Sequence, residues 1–257
     1  MIGKGLAYLR REAKRWVTNR NTIRYRVERD AILRLLSRNP VEGSLLDAGA
    51  GCGEMSARLL ESGTVSSITG AEPDAVNYAQ LKRTYSSLPG AVAIRAPIDH
   101  MPFEDGRFDG ILCTQVLEHI SDHAAAAREL VRVTRLGGTL IVSVPFVPSD
   151  CRPEECIHYD PIGHVRAGYT AETLSALFGP YGCELLECAY FLTGKTCGNL
   201  LAVERLGWLG LMVPLALVDA ECHLTEESRR IGHPGGMVCL FRKTGGSASE
   251  KIIFKVK

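Results

Sequence analysis

The strongest constraint on the fold is an alternation of short apolar runs with helical stretches between residues 44 and 145. Short runs rich in Val, Ile and Leu are typical of buried strands, and stretches with helical periodicity separate most of them. This alternation favours βαβ units and a parallel sheet. The predicted strands are Ser44–Ala48, Ser66–Glu72, Ala91–Arg95, Phe108–Cys113 and Thr139–Pro145, and the helices between them are Glu54–Ser62, Ala75–Tyr85 and Asp122–Arg135.

Two further strands are predicted at Cys183–Phe191 and Met237–Arg242, and they complete a doubly wound, seven-stranded, mostly parallel sheet. Further helices are predicted at about 4–18, at about 23–36 and from Thr170 to Phe178. We therefore divide the chain into four parts: N-terminal helices at 1–40, the α/β domain at 41–191 plus 235–244, a helical insertion at 192–234, and a tail at 245–257.

The first predicted strand runs directly into a glycine-rich turn, Asp47-Ala48-Gly49-Ala50-Gly51-Cys52-Gly53. Glycines at alternate positions allow a tight turn and a close approach of the backbone to a ligand. In a dinucleotide site, a third glycine occupies the position that Glu54 holds here. Because an acid at the start of the helix would repel a pyrophosphate, the turn suits a positively charged ligand better.

A second acid, Glu72, ends the second predicted strand about twenty residues after the glycines. A carboxylate at this place can accept hydrogen bonds from the two hydroxyls of a ribose. An acid after a strand is common by itself. Its combination with the glycine turn predicts a nucleoside-binding site.

These segments resemble the class I S-adenosylmethionine-dependent methyltransferases, in particular the branch with quinone-biosynthesis, small-molecule and glycan enzymes. The similarity is strong over 43–145, in the strings LLDAGAGCGEMSARLLESG, ITGAEPD, MPFEDGRFDGILCTQVLEHISD and ELVRVTRLGGTLIVSVP. It weakens through GHVRAGYTAETLSALFGPYGCELLE and is absent over 192–234. The resemblance implies a Rossmann-like fold, S-adenosylmethionine as cofactor and S-adenosylhomocysteine as product. The positive ammonium and sulfonium of this cofactor suit the acidic glycine turn.

The resemblance also implies which residues contact the cofactor. The methionine end would lie against Asp47, Gly49, Ala50, Gly51 and Gly53, the ribose against Glu72, and the adenine beside Pro73. Many relatives carry an adenine-binding acid where this chain has Pro97, followed by Ile98, so either Asp99 or the backbone alone is expected to serve instead. The segment after the fourth strand, Gln115, Val116 and Leu117, would line the cofactor. For Asp109, within the fourth strand, a structural role fits the sequence at least as well as contact with the cofactor does.

Methyl transfer from a sulfonium depends mainly on positioning, but an oxygen acceptor benefits from a general base, for which histidine is suited near neutral pH. His119 follows the fourth strand, and His158 and His164 lie in the irregular stretch 146–169, which we expect to close over the acceptor. These three histidines are the candidate bases. Alternatives are methylation of a carbon atom of a prenylated quinone, and a non-catalytic protein that binds the cofactor.

The distribution of charge and the apolar runs of the sequence give information on the class of acceptor. Residues 1–38 hold eleven Lys or Arg against three acids, although the net charge of the chain is only +1. The basic helix in 1–20 and the uncharged run 206–218 would suit peripheral contact with a membrane, or else packing and a homodimer. The expected acceptor is a small molecule, a glycan or a lipid-linked compound. Nucleic acid is not expected, because Thr114-Gln115-Val116-Leu117 lacks the Asn/Asp-Pro-Pro-aromatic motif.

The nine cysteines form no regular framework, and no apolar signal segment follows the start of the sequence. We therefore expect reduced thiols in a cytoplasmic protein, with peripheral contact at the inner face of the membrane as an option. No metal site is expected from Cys151, Cys156, His158, Cys183 and Cys188, which lack the Cys-x₂-Cys spacing of zinc motifs.

Overall fold

A computed structural model describes residues 22–147, 163–191 and 235–245. Its five α-helices are α1 (Thr22–Arg38), α2 (Glu54–Glu61), α3 (Ala75–Tyr85), α4 (His123–Val133) and α5 (Ala171–Phe178). Its seven strands are β1 (Ser44–Ala48), β2 (Ser67–Ala71), β3 (Ala91–Ile94), β4 (Phe108–Thr114), β5 (Thr134–Pro145), β6 (Cys183–Phe191) and β7 (Gly236–Lys243).

The strands form one sheet in the order β3-β2-β1-β4-β5-β7-β6. The pairs from β3 to β5 are parallel, whereas β7 lies antiparallel between β5 and β6. This arrangement confirms the predicted doubly wound, mostly parallel sheet of seven strands. The strand order switches at β1: β2 and β3 lie on one side of it, and β4 and β5 lie on the other. Open α/β sheets bind ligands at such a switch point.

Successive residues of each central strand enter apolar layers on opposite faces of the sheet, as the two-residue period of a strand requires. Leu45 and Leu112 pack in one buried cluster with α1, α2 and α3. Leu46 and Ile111 pack in the other with α4 and α5. Both faces are thus covered by helices, which holds the ends of the strands in fixed positions.

The largest difference from the predicted elements is at the start of β5. The sequence predicted a helix up to Arg135, but α4 ends at Val133 and β5 begins at Thr134. Thr134 has an extended backbone, and its hydroxyl donates to the carbonyl of Leu130, 2.7 Å away. Thr134 pairs with Phe108, and the pairing becomes irregular before Thr139. The extended backbone and the strand pairing of Thr134 therefore end the helix two residues before the predicted position.

The expectation of reduced cysteines is wrong for one pair, since Cys188 and Cys239 form a disulfide. The two residues are register partners on β6 and β7, and their Cα atoms lie 4.3 Å apart. Two cysteines directly opposite each other on antiparallel strands have their Cβ atoms close enough for the two sulfur atoms to bond. The pairing of β6 with β7, which the sequence did not specify, decides this contact.

No helix in the described part of the chain is long and apolar enough to cross a membrane. The predicted helix at 4–18, the basic segment 1–20, the insertion 192–234 with its apolar run 206–218, and the tail beyond residue 245 lie outside the described residues. The division into four parts therefore stays a prediction.

Candidate active site

The glycine turn lies at the carboxyl end of β1, at the switch point of the sheet. Gly49, Gly51 and Gly53 have φ angles of 74°, 54° and 75°, in the left-handed region that glycine adopts without strain. A Cβ on Gly49 would lie 2.5 Å from the Val116 side chain, whereas a Cβ on Gly51 would meet no atom within 4 Å. Gly51 therefore borders open space, and the rest of the turn packs tightly against the protein.

Asp47 lies in β1 at the start of the turn and is only 1% exposed. Among the described residues, its Oδ1 atom has no hydrogen-bond partner. Burial raises the pKa of Asp47 to about 7, against the effect of a hydrogen bond from Ser56, and the nearby charge of Glu72 raises it further. A buried carboxylate with a spare acceptor atom is suited to a cationic group, such as the ammonium of an amino acid.

Glu72 directly follows β2 and is 7% exposed. Its Oε2 accepts a hydrogen bond from the backbone N–H of Gly51 (2.8 Å), and its Oε1 accepts one from the N–H of Asp74 (3.0 Å). These two bonds fix the carboxylate plane beside the open space at Gly51. Because each carboxylate oxygen has a second lone pair, both oxygens can still accept a hydrogen bond from a ribose hydroxyl.

The residues predicted at the adenine end lie in different environments. Pro73 is exposed beside Glu72, and its carbonyl accepts from the Arg95 guanidinium at 3.0 Å. Ile98 is buried in the apolar cluster beneath the sheet edge, whereas Asp99 is exposed. A contact of either residue with adenine stays a prediction.

The turn after β4 closes the other side of the site. Gln115 has a φ of +53°, the one positive φ of a non-glycine residue in the described part of the chain. Its amide donates to Glu28 Oε1 (3.1 Å) and Ser143 Oγ (3.2 Å), and the Ser143 hydroxyl also donates to Glu28 (2.5 Å). Glu28, on α1 and 5% exposed, thereby fixes the strained turn. Sequence reasoning missed Glu28, because one acid within an amphipathic helix gives no signal.

Val116 and Leu117 come next in the chain, and both pack against other parts of the protein. The Val116 side chain rests on Gly49, as its close approach shows, so it can line a ligand in the glycine turn. The Leu117 side chain is fully buried in the core, and its carbonyl accepts from Tyr169 Oη at 3.1 Å. Asp109 is also structural: it accepts from the Ser44 N–H (2.8 Å) and from Arg135 (2.6 Å), at the opposite end of β4.

Two of the three candidate bases come together. His119 is exposed, His164 is half-buried, and their ring centroids lie 4.6 Å apart in an edge-to-face arrangement. His158 lies outside the described residues. His119 directly follows the turn after β4, and hydrogen bonds from Val165 and Arg166 to Glu118 and Ile120 hold the segment of His164 beside it. Glu118, between Leu117 and His119, is fully buried beside them.

The ribose role of Glu72 gives a direct test. We expect Glu72→Ala to weaken the binding of S-adenosylhomocysteine by more than tenfold, since a hydrogen bond to a charged group contributes roughly 1.5–3 kcal/mol. Isothermal calorimetry would measure this dissociation constant. Glu104→Gln, at an exposed carboxylate before β4, is the control and should bind like the wild type. An unchanged dissociation constant for Glu72→Ala would refute the ribose role.

Comparisons with known proteins agree with this geometry. Residues 46–142, which run from β1 to β5, match the family model of a methyltransferase domain. The chain is 27% identical over 172 residues to an O-methyltransferase of Pyrenophora dematioidea, covering 65% of this chain and 64% of that protein. It is 29% identical over 99 residues to a ubiquinone biosynthesis O-methyltransferase of Xanthomonas campestris, covering 38% and 41%. The chain thus spans less than two thirds of the length of either relative.

A solved structure shows the same fold. The YcgJ protein from Bacillus subtilis superposes with a TM-score of 0.58 at 19% identity, over 83% of this chain and 98% of that protein. At this identity the likeness concerns the fold alone.

The sheet order, the glycine turn and the acid after β2 define a doubly wound, nucleoside-binding domain. The family match over residues 46–142 shows that this part of the chain is a methyltransferase domain. The predicted fold is confirmed, and the match bears out the predicted similarity to the class I S-adenosylmethionine-dependent methyltransferases. A domain of this kind implies S-adenosylmethionine as the methyl donor, and the residues present fit it: a side chain on Gly51 would meet open space, Asp47 has a spare buried oxygen, and the N–H of Gly51 holds the Glu72 carboxylate.

Proposed function

We propose that this protein binds S-adenosylmethionine at the glycine turn and transfers its methyl group to a hydroxyl oxygen of a small molecule or glycan. The observation that carries the proposal is the glycine turn, where a side chain on Gly51 would meet open space and the Gly51 N–H holds the buried carboxylate of Glu72. Glu72 is already oriented by two backbone N–H groups, so nucleoside binding needs little reorganisation. The named activities of the two curated relatives, both O-methyltransferases, support an oxygen acceptor.

In this function Asp47 and Glu72 would position the cofactor and take no part in the bond changes. Asp47 would hold the ammonium of the methionine end, and Glu72 would hold the ribose. The acceptor oxygen forms a bond to the methyl carbon while the carbon–sulfur bond breaks. The electron pair of the broken bond stays on sulfur. The products are a methyl ether, S-adenosylhomocysteine and a proton. Holding the two reactants in line supplies much of the rate enhancement.

The acceptor would approach over segments where the resemblance to the family is weakest, among them the stretch 146–169. The described part of that stretch is held to the turn after β4 by hydrogen bonds from Arg166 to the carbonyls of Leu117 and Ser121. The proposal includes, as an alternative, a lipid-linked acceptor with membrane contact through 1–20 and 206–218. Both segments lie outside the described residues. The same holds for a homodimer.

The test uses S-adenosylmethionine with an isotopically labelled methyl group, the purified full chain and a lysate of the source cells. We expect label in a product that carries an O-methyl group, identified by mass spectrometry and NMR. Glu72→Ala, assayed at the same cofactor concentration, should incorporate far less. Label in the organic extract would indicate a lipid-linked acceptor, and label in the aqueous phase a soluble one. A C-methyl product would refute oxygen transfer. Binding of S-adenosylhomocysteine without any transfer would indicate a non-catalytic protein.

A further inference from the structure

Three side chains that commonly bind metal ions meet beyond the turn after β4. Glu118, His119 and His164 each offer one ligand atom, and these atoms all lie within 4.8 Å of one another. Glu118 is fully buried, His164 is half-buried and His119 is exposed, so the cluster extends from the core to the surface. We refer to these three residues as the Glu–His–His cluster.

We propose that the Glu–His–His cluster binds a divalent transition-metal ion, with Zn²⁺ as the probe, and that this ion binds the acceptor hydroxyl. Two imidazoles and one carboxylate are a donor set typical of zinc and iron sites, whereas Mg²⁺ and Ca²⁺ prefer oxygen ligands alone. Three protein ligands leave a coordination position for a water molecule or substrate oxygen, as catalytic metal sites require. The sequence predicted no metal site, because the three ligands come from two segments that are distant along the chain and show no ligand spacing.

The distances allow this coordination after a small adjustment. Zinc binds nitrogen and oxygen ligands at about 2.0–2.2 Å, so two ligand atoms on one ion lie about 3–4 Å apart. Ligand atoms within 4.8 Å of one another can reach that spacing through rotamer shifts of about an ångström. The exposed position of His119 gives its ring the freedom to make this shift.

Hydrogen bonding fixes the tautomer that a metal ligand needs. His119 Nδ1 lies 2.8 Å from the carbonyl oxygen of Gly163. Because a carbonyl only accepts, Nδ1 must donate, and Nε2 keeps the lone pair that would bind a metal ion. Metal-binding histidines generally donate their other ring N–H to a carbonyl or carboxylate in this way. The accepting carbonyl belongs to the residue before His164, so one short segment orients one ligand and supplies another.

The backbone around the cluster is held together by several hydrogen bonds. The N–H of Val165 donates to the carbonyl of Glu118 at 2.9 Å. The Arg166 guanidinium donates to the carbonyls of Leu117, Ile120 (2.6 Å) and Ser121 (3.0 Å). The segment 163–166 is thereby fixed to the turn at 117–121, and the three ligands are brought together before any ion binds.

The chemical role of the ion is part of the proposal and rests on the proposed function. A divalent ion lowers the pKa of an oxygen bound to it, so an acceptor hydroxyl would release its proton to solvent near neutral pH. The resulting oxygen attacks the sulfonium methyl group, the carbon–sulfur bond breaks, and sulfur keeps the electron pair. In this arrangement His119 and His164 hold the ion, which activates the hydroxyl in place of a general base.

The test measures zinc binding by the full chain, independently of activity. After treatment with a chelator and gel filtration, the protein is dialysed against buffered Zn²⁺ and its metal content is measured. We expect the wild type to bind zinc at the cluster, and His119→Gln and His164→Gln to weaken that binding at least a hundredfold. His100→Gln, at an exposed histidine outside the cluster, is the matched control and should bind like the wild type. Circular dichroism checks that each variant is folded.

Cysteines outside the Cys188–Cys239 disulfide could also bind zinc, so a second measurement uses Co²⁺ as the probe. A cobalt spectrum without a thiolate charge-transfer band, lost in both histidine variants, supports the cluster. Zinc binding that is unchanged in both variants, or absent from the wild type, overturns the proposal. Methyl transfer that continues in excess chelator would also overturn the metal role while it confirms the proposed function. Zinc binding at the cluster without transfer to any acceptor would keep the site and refute that function.

Discussion

Replacement of Gly51 by alanine is expected to weaken the binding of S-adenosylhomocysteine at least tenfold while the protein stays folded. A Cβ at this position would meet no protein atom within 4 Å, so the added methyl group projects into the space where the ligand would lie. The N–H of Gly51 also donates to Glu72 Oε2, so a shift of this backbone would disturb the ribose-binding carboxylate. Calorimetric titration of the variant and the wild type would measure the change.

The substitution also strains the backbone, because Gly51 has a φ of 54°. An L-residue in the left-handed region costs roughly 1–2 kcal/mol, and this loss must be separated from the loss of binding. Gly63 provides the control: its φ is 74°, its Cβ would likewise meet nothing within 4 Å, and it lies in the exposed turn after α2. Gly63→Ala should lower the free energy of unfolding by a similar amount and leave binding unchanged. Equal binding by Gly51→Ala and Gly63→Ala would contradict a ligand at the glycine turn.

The sequence predicted the site best where a residue's role depends on its own strand or turn. The glycines between β1 and α2 and the acid after β2 follow from local pattern alone, and their positions at one edge follow from the parallel sheet. The predicted start of the helix at Ala75 is also confirmed, since Asp74 caps it by accepting hydrogen bonds from the N–H groups of Val76 and Asn77. Local backbone geometry decides all of these contacts.

The remainder depends on contacts between distant parts of the chain, which a single sequence does not encode visibly. Glu28 meets Ser143, 115 residues away, and Cys188 meets Cys239 across two strands whose pairing the sequence left open. His119 and His164 were each candidate bases, but their proximity depends on the hydrogen bonds of Arg166 and Val165. Pairing of this kind is fixed by packing and side-chain networks rather than by periodicity.

Asp47→Asn should separate stability from binding more clearly than any other substitution. Burial raises the pKa of Asp47 to about 7 in the folded protein, whereas an unfolded chain has an Asp pKa of about 3.9. Between these two values the folded state binds more protons than the unfolded state. The free energy of unfolding of the ligand-free protein therefore falls as pH rises through this window. The asparagine variant lacks this titration, and we expect it to be more stable above pH 7 by on the order of 2–4 kcal/mol.

Binding should show the opposite dependence on pH. A ligand ammonium favours the ionised form of Asp47, and at one pH unit below the pKa only about a tenth of the protein holds that form. We expect the wild type to bind S-adenosylhomocysteine up to about tenfold more tightly at pH 8 than at pH 6. Asp47→Asn should bind weakly at both pH values, because the amide cannot supply the negative charge. Calorimetry at the two pH values and urea unfolding from pH 5 to 8 would measure both effects. If the variant unfolds more easily than the wild type at pH 8 and binds equally well, Asp47 stabilises the fold and takes no part in holding the cofactor.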